Sequence, residues 1–125
     1  MKVVTWFQVP ATDMDRAVKF YSTVLGASFH RMEHGGDKHA FFAMDTLKSE
    51  CTGGEIVQSA KFRQPGQDGP AIYFDAPGGL KAVLERVGPA GGKVVMPHTS
   101  IGENGFIALV LDTEGNRIGL HSMTA

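Results

Sequence analysis

Apolar positions along this chain fall into one pattern that occurs twice. Met14, Ala17, Val18 and Tyr21 are spaced i, i+3, i+4, i+7, and so are Leu80, Val83, Leu84 and Val87, about 66 positions later. That period marks one buried stripe on a helix. The same displacement carries Gly26, after the first helix, onto Gly92. It also lays Ala40, Phe41, Phe42, Ala43 and Met44 over Phe106, Ile107, Ala108, Leu109 and Val110. Two copies of one pattern in so short a chain predict two similar modules with a cavity between them.

The elements follow from period and punctuation. Val3 to Val9 is rich in β-branched and aromatic residues and stops at Pro10, which cannot donate to a ladder; it is expected to be a strand. Thr12 or Asp13 caps a helix that runs through Leu25 to a left-handed stop at Gly26. Three strands should follow: Ala27 to Glu33, turned at Gly35, Gly36 and Asp37; Lys38 to Met44; and Glu55 to Ser59 after a polar loop. The second half repeats the order with a strand at Ala71 to Phe74, a helix at Gly79 to Val87, and strands at Lys93 to Met96, Phe106 to Leu111 and Arg117 to Ser122. The predicted fold is α+β, two strand, helix, strand, strand, strand modules whose curved mixed sheets enclose a cleft, with the helices on the outer faces. Module one covers about 1–60, the linker about 61–69 and module two about 70–125.

Length and charge narrow the function. At 125 residues the chain is expected to form one domain spanning 1–125. A formal charge of −1, with no basic run denser than Lys61, Phe62 and Arg63, argues against nucleic acid as a partner. The single cysteine, Cys51, has no internal partner and no neighbouring histidine, so neither a disulfide nor an activated thiolate is expected. Too few apolar residues precede Pro10 for a signal sequence, and no other segment approaches a membrane span. A cytoplasmic location without membrane attachment fits these features.

Two phrases carry a resemblance. Asp13-Met14-Asp15-Arg16-Ala17-Val18-Lys19-Phe20-Tyr21, followed by Leu25-Gly26, and the late turn Asp112-Thr113-Glu114-Gly115-Asn116-Arg117-Ile118 resemble the vicinal oxygen chelate superfamily. This is the group of glyoxalase I, extradiol dioxygenases, fosfomycin-resistance enzymes and bleomycin-binding proteins. The resemblance implies a glyoxalase-like fold and, in metal-using members, a divalent ion held by side chains of the first and last strands of each module. The phrase that typically supplies the last-strand glutamate is here Ile118-Gly119-Leu120, and its counterpart in module one, matched by spacing, is Ile56. The first-strand positions fall near Trp6 and Ile72. None of these side chains is a good ligand, so no cleft metal and no cofactor are expected.

Strand alternation then selects a lining. Gln58 should share a face with Ile56, His121 with Gly119, and Gln8 with Trp6. The expected cleft is Trp6, Gln8, Ile56, Gln58, Ile72, Phe74, Gly119 and His121, an apolar and aromatic surface with three polar groups, suited to a small molecule. His121 is the candidate catalytic residue, because imidazole changes charge near neutrality; a structural ring bonded to a carbonyl or to Gln58 is the alternative. Glu55 is expected on the opposite face, in solvent. His30, His34 and His39 surround a turn and are expected to be solvated. His98 is placed in a rim loop from Pro97 to Asn104. The leading reading is a metal-independent protein that binds a small organic molecule and pairs as a homodimer. A lyase or isomerase is the alternative, with His121 as acid and base or joining Gln8 on a weak metal. An accessory domain acting through a partner protein is a third.

Overall fold

The computed structural model describes residues 3–43, 52–60 and 64–125. Met44, Cys51 and the basic run Lys61 to Arg63 therefore lie outside the described residues, as does part of the expected linker. Module one comprises β1 (Trp6–Pro10), α1 (Met14–Leu25), β2 (Phe29–His34), β3 (Asp37–Phe42) and β4 (Gly53–Gln58). Module two comprises β5 (Tyr73–Asp75), α2 (Leu80–Val87), β6 (Lys93–Ser100), β7 (Phe106–Leu111) and β8 (Arg117–Ser122), with a short 3-10 turn at Gly102–Asn104. Each module makes one mixed four-stranded sheet, in the orders β1-β4-β3-β2 and β5-β8-β7-β6. Each first strand runs parallel to its last strand, and the other pairs are antiparallel.

The helices form where the apolar stripe and the caps agree. Asp13 accepts the Arg16 backbone N–H at the start of α1, and Gly26 ends it at φ 67°, the left-handed region that glycine enters without a Cβ penalty. Met14, Ala17, Phe20, Tyr21 and Val24 are the buried positions of α1, and Leu80, Val83 and Val87 those of α2. These stripes do not sit on separate outer faces, as expected from sequence. They meet the covered faces of both sheets in one core containing Val9, Ala40, Ile56, Ala108, Val110, Ile118 and Leu120, and the helices touch each other. Phe74 of module two lies 5.6 Å, centroid to centroid, from each of Phe7, Tyr21 and Phe42 of module one. Burying two covered faces against each other leaves the opposite face of each sheet free of helix.

The main departure from the sequence reading is β6, which runs through Pro97 and His98 to Ser100. It pairs only with β7, and its register shifts between Val94 and Met96 and again between Met96 and Thr99. An edge strand with bulges tolerates a proline because no neighbour needs its missing N–H.

The late turn ties the modules together. Asp112 is buried; its Oδ1 accepts the backbone N–H groups of Glu114 and Asn116, and its Oδ2 accepts the Tyr21 hydroxyl at 2.6 Å and Asn116 Nδ2 at 2.9 Å. Burial, and then the charge of Asp112, push the Tyr21 hydroxyl well above its usual range, so it remains a donor. Glu114 reaches back to the start of α1, accepting the N–H groups of Thr12 and Asp13 at 2.9 Å and Arg16 Nε at 2.7 Å. Burial alone would raise its pKa; the bonds from Arg16, Asp13, Thr12 and Thr113 outweigh that and hold it at about 2.

A carboxylate whose folded pKa is depressed stabilises above its unfolded pKa and loses that contribution as pH falls through the folded value. Glu114→Gln should therefore lower unfolding stability by about 2 kcal/mol near neutral pH. The gap from the parent should shrink as pH falls from about 4.5 towards about 2. Urea denaturation of both proteins at pH 7 and pH 3 checks this; an unchanged gap would remove Glu114 as the charge that caps α1.

Candidate functional site

Alternation along each strand, read with the pairing register, assigns the helix-free faces. In module one β1 lies against β4 with Trp6 opposite Gly53 and Gln8 opposite Glu55, and β3 places Phe41 opposite Glu55 and His39 opposite Val57. Trp6, Gln8, His39, Phe41, Glu55 and Val57 therefore share the free face. Glu55 is its centre. Its Oε2 accepts Trp6 Nε1 at 2.9 Å and Gln8 Nε2 at 3.4 Å, while Oε1 faces His39 Nδ1 at 2.5 Å. An ionised carboxylate only accepts, so His39 Nδ1 carries the proton of that contact. Phe41 completes the surface, 6.0 Å from the Trp6 ring and stacked at 6.0 Å on His39.

This arrangement corrects two expectations. Glu55 is not solvated: it is 5% exposed, because three neighbours on two other strands close over it. His39 is likewise withdrawn from water, its side chain 16% exposed, whereas His30 and His34 are exposed. The parity assigned to β4 is also corrected. Ile56 is fully buried in the core under α1, and Gln58 points to the same side, where its Oε1 accepts the Met14 N–H at 2.8 Å. Phe74 is on the covered face of its sheet, among the aromatic rings of the core. The structure thus brings Trp6 and Gln8 together, separates them from Ile56, Gln58 and Phe74, and adds Glu55, His39 and Phe41.

In module two β5 lies against β8 with Tyr73 opposite Gly119 and Asp75 opposite His121. Phe7 and Phe74 are each followed three residues later by a proline, Pro10 and Pro77, which sets Trp6 equivalent to Tyr73 and Gln8 to Asp75. Gly53 then corresponds to Gly119 and Glu55 to His121. Spacing had matched Ile56 to Gly119, an odd shift that turns every side chain to the other face. A Cβ at Gly119 would overlap the Tyr73 ring, so this glycine leaves room for the aromatic ring rather than for a ligand beside His121. His121 lies on the free face with its Nε2 donating to the Asn104 carbonyl at 2.7 Å. That leaves Nδ1 as the acceptor of a neutral ring. His98 sits in β6 rather than a rim loop and stacks on Phe106 at 4.7 Å.

A cavity of about 410 Å³ lies at the seam between the modules, lined in part by Gln8, Val57, Ile72 and Ile118. Ile72 and Gln8 are thus neighbours there. No group of three or more His, Cys, Asp or Glu side chains converges among the described residues, and the Glu55 oxygens are already occupied by Trp6, Gln8 and His39. The donors among the described residues do not fit a metal ion.

Residues 3–120 match the Glyoxalase/Bleomycin resistance protein/Dioxygenase superfamily. The chain is 31% identical over 121 residues to CFP32, a candidate glyoxylase of Mycobacterium tuberculosis (strain CDC 1551 / Oshkosh), covering 92% of this chain and 43% of that protein. It therefore spans less than half the length of that relative. The fold is similar to that of glyoxalase I from Zea mays, with TM-score 0.71 and 18% identity over 95% of this chain and 45% of that one. It is similar too to the genomically encoded fosfomycin resistance protein FosX of Listeria monocytogenes, with TM-score 0.70 and 13% identity over 100% and 94% of the two chains.

Removing the Glu55 carboxylate leaves the Trp6 indole, His39 and Gln8 without their common acceptor. Glu55→Ala should cost about 2 kcal/mol of stability and raise the mobility of Trp6, while His121→Ala, which gives up one bond to a loop carbonyl, should cost about 1 kcal/mol or less. Urea midpoints and the fluorescence anisotropy of Trp6, the chain's one tryptophan, measure both.

Proposed function

The chain belongs to the Glyoxalase/Bleomycin resistance protein/Dioxygenase superfamily, and from that premise we propose that it binds a small organic molecule against the helix-free face of its first sheet, without a metal. The observation that carries this reading is the Glu55 carboxylate, desolvated yet fully hydrogen-bonded, on a sheet face that no helix covers. Aromatic walls with a few fixed polar groups are the usual make-up of a small-molecule site. Here Trp6 and Phe41 offer flat surfaces for a planar ligand. Gln8, tied to Glu55 by one long bond, supplies an amide that can turn to meet it.

In this reading a second copy of the chain completes the site. Trp6 is 43% exposed, Met32 46% and Tyr73 46%, and large side chains so exposed on sheet faces favour association. A cytoplasmic location and no nucleic-acid partner belong to the same proposal. No helix among the described residues is long and apolar enough to cross a membrane.

A lyase or isomerase is favoured by one observation, the His39 imidazole seated on Glu55. A carboxylate that orients an imidazole is a common acid and base arrangement. His121, on the free face of the second sheet, is the second imidazole of that reading. Elemental analysis after purification without chelators decides between metal-dependent and metal-free forms. The expected content is well below one transition metal per chain; about one metal per chain, lost in Glu55→Ala or His121→Ala, would overturn the metal-free reading. Light scattering should report a dimer, and a monomer across a wide concentration range would exclude a site completed by a second copy.

A further inference from the structure

The cavity at the module seam has a chemistry of its own. Its accessible apolar wall is formed by Pro10, Pro70 and the half-buried Ile72, over Val9, Val57 and Ile118, which are each no more than 3% exposed. Its roof is the strap from Gln64 to Ile72. That strap is pinned: Gly66 N–H donates to Asn116 Oδ1 at 3.2 Å, Arg117 N–H to the Gly66 carbonyl at 3.4 Å, and Gly119 N–H to the Ile72 carbonyl at 2.8 Å. Asn116 spends its amide nitrogen on the Pro10 carbonyl and Asp112, so it holds the roof and β1 in place and has no donor left for a ligand. A cavity of about 410 Å³ is within the size range of small-molecule sites.

The rim decides what would enter. Arg117 lines the cavity and is exposed, and its guanidinium makes no ion pair or side-chain hydrogen bond among the described residues. Asp68 is the other charged side chain on the rim, and it forms no ion pair with Arg117. The amides of Gln64 and Gln67 accompany them. We infer that the seam cavity is a binding site for an organic monocarboxylate, its apolar body against Pro10, Pro70 and Ile72 and its carboxylate on Arg117. A guanidinium fork matches a carboxylate through two parallel bonds. Asp68, on the same rim, adds a repulsion that grows with each negative charge the ligand carries and so favours one charge over two. The inference does not depend on the Glu55 face, which shares only Gln8 and Val57 with this cavity.

The probes are 2-naphthoate and its neutral isostere 2-naphthamide, titrated into the full chain and followed by backbone amide chemical shifts. Saturable shifts at Gln67, Ile72 and Ile118 are expected with 2-naphthoate. Arg117→Gln should weaken that binding by about tenfold or more, while leaving the weaker binding of 2-naphthamide unchanged. Asp68→Asn should strengthen the binding of naphthalene-2,6-dicarboxylate, which the parent disfavours. Equal affinity of 2-naphthoate for parent and Arg117→Gln, shifts confined to Trp6, His39 and Phe41, or no saturable shift at these positions would overturn the inference. Trp6 emission reports the Glu55 face separately, so a failure of either site is distinguishable from a failure of the other.

Discussion

Two carboxylates in the turn from Asp112 to Asn116 are removed from water, and each is satisfied in part by module one. Asp112 takes the hydroxyl of Tyr21, and Glu114 takes the first backbone N–H groups and the arginine of α1. A buried charge left without partners is costly, so neither carboxylate could hold this place if the modules separated. The helix depends on the same contact, because an N-terminus keeps its unpaired donors unless something accepts from them. Joining the modules this way commits their covered faces to a single core and their free faces to solvent or to ligands. Every site described above is a result of that division.

The repeat made the fold readable. Periodicity, Asp13 and Gly26 bounded α1 almost to the residue, and the strand order of each half followed from glycine and proline punctuation. The position of the helices was not legible, since an apolar stripe says that a helix is covered and not by what. The length of β6 was hidden as well. Pro97 reads as an end of pairing, and only its place on a sheet edge makes it harmless.

The site was legible where large apolar side chains alternate along a strand and illegible where they do not. On β8 the buried side chains of Ile118 and Leu120 fix the inward face, which leaves His121 on the other. Along β4 five consecutive residues, Gly53 to Val57, are all buried. With no exposed partner to set the phase, spacing alone matched Ile56 to Gly119, the place that Gly53 takes, and so turned Glu55 to the wrong face. The burial of Glu55 depends on His39 and Trp6, contributed by other strands, and no local pattern announces that. The sequence signal that could have found it is the equivalence of Phe7-x-x-Pro10 with Phe74-x-x-Pro77, which sets the register of both modules at once.

The tyrosine ring that lies over Gly119 has an evolutionary consequence. Any side chain at Gly119, an acidic one included, would overlap the Tyr73 ring, which is half exposed and must turn towards solvent to admit it. Acquiring a carboxylate there thus requires Tyr73 to shrink or to swing away. A change at Gly119 alone would displace the ring, and truncation of Tyr73 alone would uncover Gly119. Tyr73 and Gly119 are therefore coupled: a change at either one alters the room open to the other.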